Sequence, residues 1–96
     1  MFEIFLSETA SAQLDLLRKD HSCAVRVKAV EKTLSFLANP KHPGLQSHEF
    51  TSLHGPHGEK VFESYAQQNT PAAYRIFWHY GPHRKQITVV SITAHP

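Results

Sequence analysis

Ala73-Tyr74-Arg75-Ile76-Phe77-Trp78-His79-Tyr80 is the stretch that decides the fold, and Gln86-Ile87-Thr88-Val89-Val90-Ser91-Ile92-Thr93 follows it. Both runs are rich in aromatic and β-branched residues, and Gly81-Pro82-His83-Arg84 lies between them, which is typical of two strands joined by a turn. Side chains alternate between the two faces of a strand. One face of the first strand is therefore predicted to carry Tyr74, Ile76, Trp78 and Tyr80. The other face is predicted to carry Arg75, Phe77 and His79.

Length and composition indicate one soluble globular domain over residues 1–96. Hydrophobic residues make up 41% of the chain and charged residues 19%, which excludes a disordered polymer. No apolar run approaches the roughly 20 residues of a membrane span. Met1-Phe2-Glu3 has no basic segment of the kind that begins a secretory signal. A lone Cys23 cannot form an internal disulfide, so a reducing compartment, the cytoplasm, is expected.

The charge balance favours a polyanionic partner. Ten Lys and Arg against eight Asp and Glu give a formal charge of +2, and the sequence pI is about 8.9. Eight histidines add side chains that suit proton transfer and metal binding near neutral pH.

The N-terminal half predicts a short strand at Phe2 to Leu6 and then helix, with Ser7 as N-cap. No Gly or Pro occurs from Ser7 to Ala38. Asp20-His21-Ser22 interrupts the pattern, so we expect a hairpin of two helices, with one long bent helix as the alternative. The second helix carries an apolar stripe with 4-3-4-3 spacing, typical of core packing. Its members are Cys23, Val27, Val30, Leu34 and Leu37.

Asn39-Pro40 ends the second helix, because the residue before proline avoids the α region. Glu49 to Leu53 is a candidate short strand, His54-Gly55-Pro56-His57-Gly58 is a turn, and Lys60 to Gln67 is a strand. The predicted fold class is α+β, in the order β-α-α-β-β-β with a further short strand as an option. A helical hairpin packs on one face of a small, mostly antiparallel sheet, and the opposite face is left for a ligand.

The order and spacing of these elements resemble the RelE/ParE toxins of bacterial type II toxin–antitoxin systems. The resemblance rests on the early helix pair, on Asn39-Pro40-Lys41-His42-Pro43-Gly44-Leu45, and on the central strand Tyr74-Arg75-Ile76-Phe77-Trp78-His79. Ile87 to His95 resembles the closing strand of the family. The resemblance covers nearly the whole chain.

The resemblance implies a cytoplasmic toxin neutralised by an antitoxin protein, either as a dimer or as a toxin–antitoxin hetero-oligomer. RelE-like members cleave mRNA on the ribosome without a metal, whereas ParE-like members act on DNA gyrase. Arg75 matches the family arginine that contacts the scissile phosphate, and His95 matches a closing histidine used in catalysis. Glu63 departs from the basic residue usual in the preceding strand, and the sequence stops at Pro96, before the family's catalytic tail. A ParE-like or catalytically degenerate member is therefore the alternative.

Metal-free RNA cleavage needs a base for the 2′-hydroxyl, a cation for the phosphorane and an acid for the leaving oxygen. Arg75 suits the cation role, because its planar fork matches phosphate oxygens. His79 is expected on the same face, within reach of one phosphate group, and His95 is the second proton-transfer candidate. Other residues are candidates for binding the flanking phosphates of the RNA and for stacking on a base. These are Lys60, Arg84 and Lys85 for phosphates, and Tyr65 for the base.

Each of these residues also has a structural interpretation. In this interpretation Arg75 forms an ion pair with Glu63 across the sheet, and His79 is a hydrogen-bonded side chain inside the sheet. His95 is then a frayed residue next to the terminus. No cofactor and no metal are expected. His54 and His57, like His79 and His83, have spacings that zinc uses, but no cysteine pair or acidic cluster accompanies them.

Overall fold

A computed structural model describes residues 1–39, 47–67 and 72–94 of the chain. These residues form two α-helices and five strands, connected in the order β-α-α-β-β-β-β. The strands are β1 (Glu3–Leu6), β2 (Ser47–His54), β3 (Lys60–Tyr65), β4 (Tyr74–Tyr80) and β5 (Gln86–Ala94). The helices are α1 (Glu8–Lys19) and α2 (Ala24–Leu37), separated by a 3₁₀ turn at His21–Cys23.

The sheet has the spatial order β1-β5-β4-β3-β2. Only β1 and β5 are parallel among the pairs in the described part of the chain, and the other pairs are antiparallel. The predicted α+β class and the mostly antiparallel sheet are confirmed. The candidate strand at Glu49 to Leu53 is present and longer, as β2, at an edge of the sheet.

One face of the sheet packs against both helices. Ile76 and Trp78 of β4 join Ile87, Val89 and Ile92 of β5 in this core. The helices and the 3₁₀ turn contribute the buried side chains Ala10, Leu14, Leu17, Cys23, Val30 and Leu37, and Val27 and Leu34 of the predicted stripe pack against them half-buried. Burial of this apolar area, at about 25 cal/mol per Å², is the main stabilising contribution to the domain. The helical hairpin on one face, and the predicted core face of β4, are thus confirmed.

Local capping explains where the helices begin. Ser7 accepts a hydrogen bond from the backbone N–H of Ala10 at 3.0 Å and so caps α1 as predicted. Asp20 accepts bonds from the Ser22 hydroxyl at 2.6 Å and the Ser22 backbone N–H at 3.0 Å. Two helices with a capped 3₁₀ turn are therefore formed, and the single bent helix is excluded.

Replacing Asp20 by alanine is expected to lower the melting temperature at neutral pH, because the turn between the helices loses its cap. The hydrogen bonds from Ser22 hold the pKa of the Asp20 carboxyl below its ordinary value of 3.8. A lowered folded-state pKa stabilises the fold above the ordinary pKa, and that contribution is lost as pH falls through the folded value. Thermal unfolding from pH 7 down to pH 2 should thus show the difference between parent and variant shrinking. Asp15→Ala, on the exposed side of α1, is the matched control, and an equal loss there would contradict the capping role.

Candidate functional site

The face of the sheet away from the helices, called here the outer face, carries Arg75, Phe77 and His79. The β3–β4 register places Glu63 opposite Phe77 and Tyr65 opposite Arg75. The β2–β3 register places His48 opposite Glu63. Neighbouring strands therefore bring an imidazole, a carboxylate and a guanidinium to one point on the outer face.

Glu63 is the centre of this arrangement. Its side chain is only 3% exposed, and its two oxygens take different partners. Arg75 Nη1 donates to Glu63 Oε2 at 2.7 Å, and His48 Nε2 lies 2.7 Å from Glu63 Oε1. A buried carboxylate is strongly stabilised by such partners, because without them it is left in a poorly solvated site. We call these three residues the His48–Glu63–Arg75 group.

Two phenyl rings hold the Arg75 side chain in place. The guanidinium carbon lies 4.8 Å from the ring centroid of Phe77 and 5.9 Å from that of Phe50. The two rings contact each other edge to face at 4.8 Å. Such cation–π contacts fix a guanidinium without using its hydrogen-bond donors. Arg75 Nε is buried and has no hydrogen-bond partner among the described residues.

His48 is the solvent side of the group. Its side chain is 56% exposed, whereas that of Arg75 is 16% exposed. The His48 ring lies 6.0 Å from the ring of Tyr65, in a tilted orientation. A carboxylate partner on one ring nitrogen orients a histidine ring. The exposed imidazole can therefore exchange a proton with a bound molecule while Glu63 and Arg75 stay in the sheet.

His79 does not join the group. It lies four residue steps from Arg75 along β4, which is about 13 Å at 3.3 Å per residue. The expectation that both side chains reach one phosphate group is therefore wrong, because about 13 Å along the strand exceeds the span of a phosphate group. His79 is 2% exposed, and its Nδ1 lies 2.9 Å from the Tyr80 carbonyl oxygen. This geometry agrees with the structural interpretation of a hydrogen-bonded histidine inside the sheet.

The basic residues predicted to bind RNA lie at the other end of the sheet. Lys60 begins β3, and Arg84 and Lys85 lie in the turn between β4 and β5. All three are exposed. The five residue steps from Arg75 to Tyr80 span about 17 Å along β4, so these cations do not contact the group. Tyr65 lies next to the group, with its ring 6.0 Å from that of His48. His95 lies outside the described residues.

A cleft of about 370 Å³ opens on the helix side of the sheet, away from the group. Its walls are α1, the 3₁₀ turn, the start of β4 and the end of β5. Leu16, Leu17, Cys23 and Ile92 make it mainly apolar, and Arg26 Nη1 lies 3.7 Å from Cys23 Sγ. No lysine or arginine is among the described residues that line this cleft, so it offers no phosphate-binding cation and is not the candidate site.

Sequence reasoning did not select His48. Its place beside Glu63 depends on how β2 pairs with β3, and that pairing is irregular between Glu49 and His54. The sequence signal was limited to a histidine and Phe50 at alternate positions before a Gly-Pro turn. The ion pair of Arg75 with Glu63 was foreseen as the structural interpretation of Arg75, and the structure contains it.

No protein-family model matches the chain, and no curated protein sequence is significantly similar to it. Two solved structures from Helicobacter pylori share the fold over 99% of this chain and 96% of theirs. One is the crystal structure of a metal-bound toxin, with a TM-score of 0.69 and 15% identity. The other is the solution structure of a conserved hypothetical protein, with a TM-score of 0.61 and 18% identity. At such identities the likeness establishes the fold.

Among the described ranges, no helix is long and apolar enough to cross a membrane.

Proposed function

We propose that this chain is the toxin of a toxin–antitoxin pair and acts as a RelE-like endoribonuclease on mRNA bound to the ribosome. The observation that carries the proposal is the His48–Glu63–Arg75 group, which supplies a proton acceptor and a phosphate-binding cation at one point. The fold of the Helicobacter pylori toxin, shared across the chain, supports the toxin assignment. The partners are a cognate antitoxin protein and the message.

In the proposed reaction, His48 takes the proton from a ribose 2′-hydroxyl and the 2′-oxygen attacks the adjacent phosphorus. The bond from phosphorus to the 5′-oxygen breaks, and that oxygen accepts a proton. The products are a 2′,3′-cyclic phosphate and a 5′-hydroxyl. Arg75 stabilises the negative charge that accumulates on the phosphate oxygens. His95, as predicted from the sequence, is assigned as the acid for the leaving oxygen.

Glu63 is a positioning residue in this scheme. Its carboxylate is too deeply buried to contact RNA, but it holds both side chains that do. It fixes the His48 ring by the contact at 2.7 Å and stabilises the imidazolium that forms in the reaction. In this scheme an acidic residue at position 63, in place of the basic residue usual in the family, positions both His48 and Arg75. The carboxylate contacts both the proton acceptor and the arginine, each at 2.7 Å.

The group does not fit a metal ion, although one fold neighbour is a metal-bound toxin. No three His, Cys, Asp or Glu side chains come together anywhere in residues 1–39, 47–67 and 72–94. At the group itself, the Arg75 guanidinium already occupies one Glu63 oxygen, and its positive charge opposes a second cation nearby. The roles proposed for His48, Glu63 and Arg75 therefore need no metal ion at the group.

The test is inducible expression in a bacterial host, with RNA 5′ ends mapped a few minutes after induction. New 5′-hydroxyl ends within the codons of translated messages are expected. Growth arrest without new RNA ends would contradict the nuclease. Co-expression with the product of the adjacent open reading frame should relieve the arrest and give a complex on gel filtration. A chain that forms no such complex would contradict the antitoxin partner.

The second candidate is a ParE-like inhibitor of DNA gyrase. The observation that favours it is the ion pair of Arg75 with Glu63, since this arginine is largely buried and already has a carboxylate partner. A gyrase supercoiling assay with purified protein separates the two candidates. Inhibition at equimolar protein, without RNA cleavage, would support the ParE-like function.

A further inference from the structure

The turn end of the sheet, defined by Lys60, Arg84 and Lys85 together with His57 and His83, has the composition of a phosphate-binding surface. The β3–β4 register pairs Phe62 with Trp78, so Lys60 lies beside Tyr80, the last residue of β4. The turn that precedes β3 and the turn that follows β4 are therefore neighbours. All five side chains lie at exposed positions.

Two acidic residues share this end. The Glu59 carboxylate accepts a hydrogen bond from the His57 backbone N–H at 2.8 Å, so it is engaged inside its own turn. Glu3 lies one strand further away, on β1, opposite Gln86. Neither forms an ion pair shorter than 4 Å with Lys60, Arg84 or Lys85 in the described part of the chain. The three cations are thus exposed and open to an external anion.

We propose that the turn end is a second RNA-backbone site, separate from the His48–Glu63–Arg75 group and about 17 Å from it. This inference rests on the proposed function, because it takes RNA as the substrate. At about 3.4 Å per nucleotide of a stacked strand, 17 Å corresponds to roughly five nucleotides. A substrate that reaches both sites has to extend about five nucleotides to one side of the scissile phosphate. Lysine and arginine hold such a strand by its phosphates and do not select its sequence.

The experiment uses fluorescence anisotropy with a 12-nucleotide RNA carrying 2′-O-methyl riboses, which cannot be cleaved because the nucleophile is blocked. Lys60→Gln, Arg84→Gln and Lys85→Gln are combined in one variant. The matched control combines Lys19→Gln, Lys28→Gln and Lys32→Gln, which removes the same charge from exposed positions on the helices. The turn-end variant is expected to bind roughly tenfold more weakly at 0.1 M salt, and the control to bind like the parent.

Two further readouts identify phosphate contacts. The slope of log K against log salt should fall in magnitude by about 2 in the turn-end variant, since each contact to a single strand contributes about 0.7. The parent should also gain affinity as the RNA is lengthened from four to twelve nucleotides, and the variant should lose this gain. Equal weakening in variant and control, or an unchanged salt slope, would overturn the second site. Because these measurements record binding and not cleavage, they test the second site even if the protein proves not to be a nuclease.

Discussion

Replacing His48 by glutamine is expected to slow RNA cleavage by about 10²–10⁴-fold, because a positioned proton acceptor contributes a factor of that size. The variant should fold like the parent, since the His48 side chain is more than half exposed and lies on an edge strand. The measurement is single-turnover cleavage of message on purified ribosomes, with thermal unfolding of the same preparations. In cells, the variant should no longer arrest growth.

His21→Gln is the matched control, since His21 is an exposed histidine in the 3₁₀ turn and takes no part in the proposed site. It should cleave at the parent rate. A His48→Gln protein that cleaves within about threefold of the parent would remove His48 from the mechanism.

The alternation of large rings made β4 and β5 predictable from the sequence. Tyr74, Ile76 and Trp78 occupy every second position, and such a pattern has one stable solution, with that face buried against the helices. The 4-3 stripe from Cys23 to Leu37 predicted the matching face of α2 for the same physical reason. Local periodicity is thus sufficient for the core, because burial of apolar area is the largest contribution to stability.

The candidate site on the outer face depends on contacts between strands, which hydrophobic periodicity does not encode. The His54–Lys60 pair beside the turn would place Thr51 opposite Glu63 if the β2–β3 ladder were regular. The irregularity between Glu49 and His54 shifts the register by three residues, so His48 takes that position instead. Bulges of this kind often re-aim a side chain near a functional site. A count along the sequence could therefore find Glu63 and Arg75 as partners, but not the histidine that completes the group.

Two residues on one face of a strand can still be far apart, as Arg75 and His79 are. Sharing a face with Arg75 indicates the same side of the sheet, but four residues of extended chain separate the two by about 13 Å. Neighbouring strands lie only about 4.8 Å apart, so cross-strand partners reach one phosphate more readily than residues on the same strand. His48 and Arg75 are brought together across the strands in this way, because each contacts a different oxygen of Glu63 at 2.7 Å.

Replacing Glu63 by alanine is expected to destabilise the domain by about 3–5 kcal/mol, because it leaves the largely buried Arg75 guanidinium without its partner. A small domain has only about 5–15 kcal/mol of stability, so the variant should melt far below the parent or fail to fold. Urea unfolding followed by the fluorescence of Trp78 measures the effect. Glu49→Ala, next to Phe50 but at an exposed position of the edge strand, is the control and should change stability by less than about 0.5 kcal/mol.

The double variant Glu63→Leu with Arg75→Met separates the cost of an unpaired buried charge from the cost of lost side-chain packing. Replacing both charged partners by apolar residues of similar volume is often neutral or stabilising, so this protein should regain most of the stability lost in Glu63→Ala. It should nevertheless cleave no RNA, because the phosphate-binding cation and the residue that positions His48 are both gone. A Glu63→Ala protein as stable as the parent would show that Arg75 finds solvent or another partner at no cost. The ion pair would then not be what fixes the group in the sheet.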